Sequence, residues 1–355
     1  MSRVVTEATL PASALAGVLE PREGFVAERR DGPQGFIAGE GPFWEYTRRV
    51  GVEAAGDGQV RVRQVVEFRL AIPWFGWIFA LPARRLLGRL DGGPASPWWA
   101  PPDRLDARAS SALAVLCALS AVTVYCGILF SQTLTFAATE FGASRSAQGV
   151  AGAFVRADFL LALAIVARAD RRGRRGVAVG AAAAGCSLTA FGALAPTLGW
   201  LAATQVLARG CLSATGILIG IMAAEEMPAG SRAFALGLLA MGGGIGGGGA
   251  LALLPLADAG TRGWRLPFLA ALGLLPLVRA IARRLPESRR FVTPHANVVM
   301  AGHGRRLWLL AATALLMSVF LAPASQFTNE YLRDERGFSA ARITLFTILT
   351  TLPGA

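Results

Sequence analysis

An all-α membrane bundle preceded by a small α+β soluble region is the fold class this chain predicts, on three observations. Runs of ~18 or more apolar residues recur from Ala112 onward, long enough to cross a hydrocarbon core. The chain is 54% hydrophobic and only 16% charged, and its 42 glycines exceed what a soluble core needs. Its arginines collect in the short polar gaps between apolar runs: 12 of the 21 that follow residue 108 lie in 168–175 and 279–306. Arg-rich short loops stay on the cytoplasmic side, so these clusters set an orientation.

Residues 1–105 are a different material, with charges nearly balanced. Phe43 to Glu53 and Val60 to Leu70 are two strand-like runs around Gly56-Asp57-Gly58, a hairpin signal. Next comes Pro73-Trp74-Phe75-Gly76-Trp77-Ile78-Phe79-Ala80-Leu81, followed by Arg84, Arg85 and Arg89. Aromatics at one end and arginines at the other suit a helix lying in the membrane interface, and equally a soluble-core helix. Pro94 to Pro102, with Trp98-Trp99, reads as a linker. No N-terminal apolar segment resembles a signal peptide, so residues 1–108 are expected to remain cytoplasmic.

Spans are expected at about 112–137, 147–166, 177–194, 198–224, 233–256, 266–281 and 307–325, with an eighth beginning near Ile343. With the 168–175 loop inside, alternation puts 225–232 and 282–306 inside as well. Every basic cluster then falls on one side. The chain stops at Ala355 within the expected eighth span, and a part-span leaves backbone groups unpaired in lipid, so an incomplete product is expected. An internal repeat is visible: Ser131-Gln132 returns as Ser325-Gln326, Glu140 as Glu330, and Gly142-Ala143-Ser144 as Gly337-Phe338-Ser339.

Several classes find no support. A nucleic-acid binder shows a basic face on a soluble fold, whereas this excess charge sits between apolar spans. Cys117, Cys126, Cys186 and Cys211 all fall in apolar runs with no metal-ligand spacing, and the histidines are only His295 and His303. No cofactor or metal is implied. No P-loop, CxxC or nucleophile elbow suggests an enzyme. Gly242 to Gly249 contains a GxGxxG match, but both flanks are apolar helix, which favours close helix packing or a hinge over a dinucleotide site.

Four motifs carry a family resemblance. They are Asp170-Arg171-Arg172-Gly173-Arg174-Arg175; Arg209-Gly210; Glu225-Glu226-Met227-Pro228 with Arg232; and Gly263-Trp264-Arg265 followed by Pro286-Glu287-Ser288-Arg289. In this order residues 110–355 resemble the major facilitator superfamily, nearer its sugar and metabolite porters than its drug exporters. The drug exporters' Gly-Pro pair in span five is missing. Val166 stands where the family has Gly, and the closing Arg of the porter motif is displaced to Arg290. The resemblance implies a bundle holding the first six spans and about one and a half of the second half. Residues 106–285 would be the six-helix N-terminal half, 286–306 a cytoplasmic loop, and 307–355 an incomplete C-terminal half. It also implies secondary active, ion-coupled transport of a small polar solute by alternating access, as a symporter in the plasma membrane with a small-molecule solute and a proton as partners.

The same resemblance implies a cytoplasmic gate built from Asp170, Arg171, Gly173, Arg174, Arg175, Glu225, Glu226, Arg232, Glu287 and Arg290. Physically, Asp170 lies near the N-terminus of span three, whose dipole favours a carboxylate, and the arginines are placed to bridge Asp170 and the Glu225/Glu226 pair. Arg156, Asp158 and Arg209 sit inside spans, where a charge costs ~2.5–3.5 kcal/mol and is functional by default. Arg156 and Asp158 are roughly 200° apart on a helix and cannot pair with each other. Asp158 and Arg209 are each 11 residues from the start of an inward-running span, so a pair between them is expected. Tyr125, Gln132 and Gln326 are the polar candidates for a solute pathway. The rival to a transporter is a membrane-anchored binding or sensory protein, non-transporting, with the N-terminal region as its working domain.

Overall fold

The computed structural model describes residues 1–56, 58–91, 97–289 and 304–351. Two compact units divide the chain: residues 1–116 with 223–238, and residues 117–222 with 239–355.

The first unit is built on a five-stranded antiparallel sheet in the order β1-β5-β4-β3-β2: β1 (Ser2–Pro11), β2 (Ala27–Arg30), β3 (Gly35–Glu40), β4 (Phe43–Gly56) and β5 (Gln59–Leu70). The expected hairpin is present, with Tyr46 opposite Phe68, Val50 opposite Gln64, and Gly58 in the left-handed region (φ 71°) to close the turn. Strand β5 shows why one face is buried. Val62, Gln64, Val66 and Phe68 point inward while Arg61, Arg63 and Arg69 point to water, the period of two that a pleated strand imposes. A short turn of helix, α1 (Leu15–Val18), contributes Val18 to a core with Phe36, Val50 and Val62. Helix α2 (Gly76–Leu87) lays Ala83 and Leu87 against Val26, Phe43, Tyr46, Val66 and Phe68. The helix between aromatics and arginines is thus half of a soluble core, and Trp77, Ile78 and Leu81 remain exposed on its other side.

This core also encloses charge. Arg48 and Glu28 form an ion pair of 2.6 Å with side chains 1% and 0% exposed. The Tyr46 hydroxyl donates to Glu28 Oε1 at 2.5 Å, and the Arg22 amide donates to Glu28 Oε2 at 3.0 Å. Arg22 reaches Gln64 Oε1 (2.8 Å) and the Leu87 carbonyl (3.0 Å), tying the sheet to α2. The Arg48 guanidinium lies 3.9 Å over the Phe36 ring. Burial, followed by the Glu28 charge, pushes the Tyr46 phenol above its ordinary value, and burial lowers the Arg22 guanidinium.

The membrane-type helices follow. They are α3 (Ala107–Phe141), α4 (Arg145–Val155), α5 (Asp158–Arg172), α6 (Arg174–Gly192), α7 (Leu198–Glu226), α8 (Arg232–Leu253), α9 (Arg265–Ala270), α10 (Leu275–Arg284), α11 (Gly304–Glu330) and α12 (Ala340–Thr351). Among the described residues, five stretches are long and apolar enough to cross a membrane: Ala107–Phe141, Arg145–Arg172, Leu198–Glu226, Ala229–Asp258 and Arg265–Arg284. These cover expected spans one, two, four, five and six; α6 and α11 lie over expected spans three and seven, and α12 over the eighth.

The helices depart from the expected spans where local chemistry interrupts them. Span two is broken between α4 and α5: the Arg156 and Ala157 amides bond back three residues to Ala153 and Phe154 (3.1 and 3.0 Å), a tighter turn than an α-helix makes. Span six is divided as α9 and α10, with Pro276 in the opening turn of α10, where its missing N–H costs nothing. The glycine run lies in α8 and serves close packing. In the second unit a Cβ on Gly242 would stand 2.7 Å from the Cys117 carbonyl of α3, and one on Gly246 would collide with the Ala121 carbonyl a turn further on.

Candidate functional site

The break in span two places Asp158 in the first turn of α5, where the helix N-terminus favours a carboxylate. Arg209, eleven residues into α7, meets it there: Nε to Oδ2 is 3.6 Å, with side chains 21% and 10% exposed. Ser213, one turn further along α7, donates to the same Asp158 oxygen at 3.1 Å. Arg209 Nη1 donates to the Gly127 carbonyl of α3 at 2.7 Å. Three spans therefore converge on one ion pair. Arg156, in the break, is exposed.

The arginine loop is compact. Gly173 takes φ 97°, a left-handed value open to glycine at little cost, and is the single residue between α5 and α6. Arg174 pairs with Asp170 at 3.5 Å, one helical turn away, while the Asp170 side chain stays 59% exposed. The carboxylate at the N-terminus of α6 is Glu287, which accepts from the Arg174 and Arg175 amides at 3.0 and 3.1 Å. This corrects the expectation for Asp170: the dipole position of span three belongs to Glu287, because the chain beyond α10 returns to that helix end. Arg175 adds a bond of 2.6 Å to the Ala282 carbonyl, in α10. Arg171 and Arg232 are exposed and Glu225 is half-buried. In the first unit Glu226 is buried and receives Arg108 at 3.5 Å. Arg290 and the Gln326 side chain lie outside the described residues.

At the opposite end of the helices sit carboxylate contacts that the predicted gate did not include. Glu140, near the end of α3, takes Arg265 Nη2 at 2.9 Å, Arg262 Nε at 3.3 Å and the Trp264 indole at 2.7 Å. Trp264 is fully buried between Phe141 and Phe268, so the Gly-Trp-Arg motif is the anchor of this end. Arg145, opening α4, faces Glu330 and Glu335 at 3.2 Å each and Asp334 at 4.0 Å. Asn329 Nδ2 donates to Gln132 Oε1 at 2.6 Å and to the Gln132 carbonyl at 3.0 Å. Gln132 thus joins span one to span seven. Tyr125, expected on a solute pathway, is buried and donates to the Pro267 carbonyl at 2.8 Å, so its hydroxyl ties α3 to α9 instead.

The sequence repeat has a local counterpart here. Gly142 and Gly337 are both left-handed, at φ 61° and 65°, and Ser144 and Ser339 each accept from the amide three residues on (3.2 and 3.4 Å), opening the next helix. The repeat marked Glu140 and Glu330, and the Gly263-Trp264-Arg265 motif marked two of the partners of Glu140.

Long apolar helices carrying an ion pair inside them and arginine–carboxylate clusters at both ends define a polytopic membrane protein. The chain belongs to the Major Facilitator Superfamily, whose family model matches residues 112–355. No curated protein matches the sequence. Among solved structures the chain is similar to a bacterial homolog of the human lysosomal transporter Spinster. The inward-facing, unoccupied form aligns at TM-score 0.57 and 19% identity, over 67% of this chain and 58% of that one. The inward-facing, occupied form aligns at TM-score 0.51 and 18% identity, over 64% and 55%. The chain therefore spans somewhat more than half the length of these relatives, and at such identity the likeness is one of fold.

Proposed function

We propose that this chain performs secondary active transport of a small polar solute by alternating access, as an ion-coupled symporter of the plasma membrane with its N-terminus in the cytoplasm. The observation that carries the reading is the Asp158–Arg209 pair inside apolar helices of a member of this superfamily. Charges at such depth are costly and are kept for use. A proton taken up on an Asp158 carboxylate oxygen would cancel its hold on Arg209, leaving that guanidinium, and Arg156 from the same span as Asp158, for an anionic group on the solute. The contacts of Arg145 with Glu330 and Glu335, and of Gln132 with Asn329, would close one end of the bundle. The loop from Asp170 to Arg175, with Glu287, would close the other, the two sets breaking in turn.

The test is uptake into sealed vesicles holding the purified protein, with labelled carboxylates, sugars and amines offered under an inward proton gradient. Gradient-driven accumulation of one of them is expected, and its loss in Asp158→Asn. Unchanged pH-dependent accumulation in that variant would remove the proton role.

A second reading, a membrane-anchored sensory protein that moves nothing, is favoured by one feature of the first unit. A cleft of about 680 Å³ lies at the β3–β4 connection beside the start of α3, lined by Ile37, Glu40, Trp44, Tyr46 and Arg108 among others. Binding of a solute by the purified chain without movement of any solute into vesicles would put this reading first.

A further inference from the structure

We propose that the outward face of α2, together with Trp98, is an anchor that lies on the anionic headgroup layer of the bilayer the spans cross. The inward face of α2 is already occupied by the sheet, where Ala83 and Leu87 are buried. Its outward face carries Trp77 at 76% exposure, Ile78 at 44% and Leu81 at 56%, and Trp98 on the following linker is 95% exposed. Large side chains grouped in this way are what an interaction surface shows and a water-facing one avoids. Arg84 and Arg85 continue the same stripe at i+7 and i+8 from Trp77 and are exposed. From Phe68 to Leu90 there are four arginines and no acidic residue. Arg69 pairs with Glu45 and Arg89 with Asp91, so Arg84 and Arg85 are the cations that extend the stripe. Tryptophan, apolar side chains and arginine in that order match the boundary between acyl chains and anionic headgroups.

The position of α2 within its own unit supports that occupant over a soluble one. Phe79 of α2 and Phe25 both pack on Trp99, with ring centres 6.2 and 5.1 Å apart. Trp99 precedes the first residue of α3 by eight positions, a tether of at most ~28 Å. Arg104, on that tether, donates to the Glu23 and Gly24 carbonyls at 2.7 and 3.0 Å. The Asp103 amide donates to Ser231, the residue before α8, at 2.9 Å. The sheet and α2 are therefore held at the level where two apolar helices begin, which is the edge of the bilayer. The inference concerns the surface of the N-terminal region and stands whether or not the protein transports.

The experiment places a nitroxide on the full chain at Trp77→Cys or Leu81→Cys, with Thr9→Cys on the exposed edge strand as the water-facing control. The parent protein, labelled identically, gives the background from the four native cysteines. Each is reconstituted into vesicles of phosphatidylcholine and phosphatidylglycerol in equal parts. Labels at 77 and 81 are expected to be reached by oxygen and shielded from a water-soluble nickel chelate, at a depth of ~5–10 Å, while the label at Thr9 is reached by nickel. Arg84→Glu with Arg85→Glu is expected to reverse that shielding. Two results overturn the proposal. One is nickel access at 77 equal to that at Thr9, which means an open surface; the other is shielding from both reagents with spin–spin broadening between labels, which means a second copy covers the face.

Discussion

Replacing Asp158 by Asn tests the centre of the bundle most directly. The substitution preserves shape and leaves Ser213 a hydrogen-bond acceptor, but removes the charge 3.6 Å from Arg209 Nε. At an effective dielectric of ~20 the lost attraction is about 4–5 kcal/mol. The guanidinium keeps its 2.7 Å bond to the Gly127 carbonyl and some exposure, so the net cost belongs at the lower end of the ~3–5 kcal/mol seen when a buried pair loses one partner. Reversible unfolding of the purified protein in mixed detergent micelles, followed by helical circular dichroism, measures it. The companion Arg209→Gln should cost a similar amount. The double variant should be more stable than the sum of the two losses predicts, by upward of ~1.5 kcal/mol, because neither unpaired charge remains. A loss below ~1 kcal/mol for Asp158→Asn, or additivity within ~0.5 kcal/mol, would show that the two groups are neighbours without being partners.

Arg48→Met strands Glu28 in the core of the first unit and should cost that region ~3–5 kcal/mol, read as the loss of its sheet signal at lower denaturant. The Tyr46 phenol is raised, so its proton favours the folded state; that contribution is whole below the ordinary phenol value of about 10 and fades as pH rises toward the folded value. Ultraviolet titration of the wild type against Tyr46→Phe should accordingly show no phenolate from Tyr46 through the usual tyrosine range while the sheet persists. Gly246→Val drives a side chain into the Ala121 carbonyl of α3 and should lower the thermal midpoint clearly, whereas Gly244→Ala, with open space at its Cβ, should leave it within a degree or two of wild type. Glu287→Gln removes the carboxylate from the start of α6 and should cost ~0.3–2 kcal/mol, more than Asp170→Asn at its exposed site.

Much of this protein is legible along the chain because the bilayer reduces folding to patterns of short range. Apolar length, a Gly at the hairpin and arginines in short gaps are local properties, and they marked the β4–β5 hairpin, the helices and the family motifs. The pairing of Asp158 with Arg209 was suggested by residue counts along two spans, and the contact is present although span two is broken just before Asp158. Which group then faces which is decided by helix rotation and by how distant segments return. Asp170 has the nearer sequence position to α6, yet Glu287, more than a hundred residues on, takes its amides. Tyr125 and Gln132 look alike as polar residues on span one, and only the packing of α9 and α11 turns them into ties to Pro267 and Asn329. The composition of α2 matched a lipid interface and a protein core equally. Tertiary structure gave one face of it to the sheet and left the other bare, because a helix has two sides and the sequence alone does not say what stands beside each.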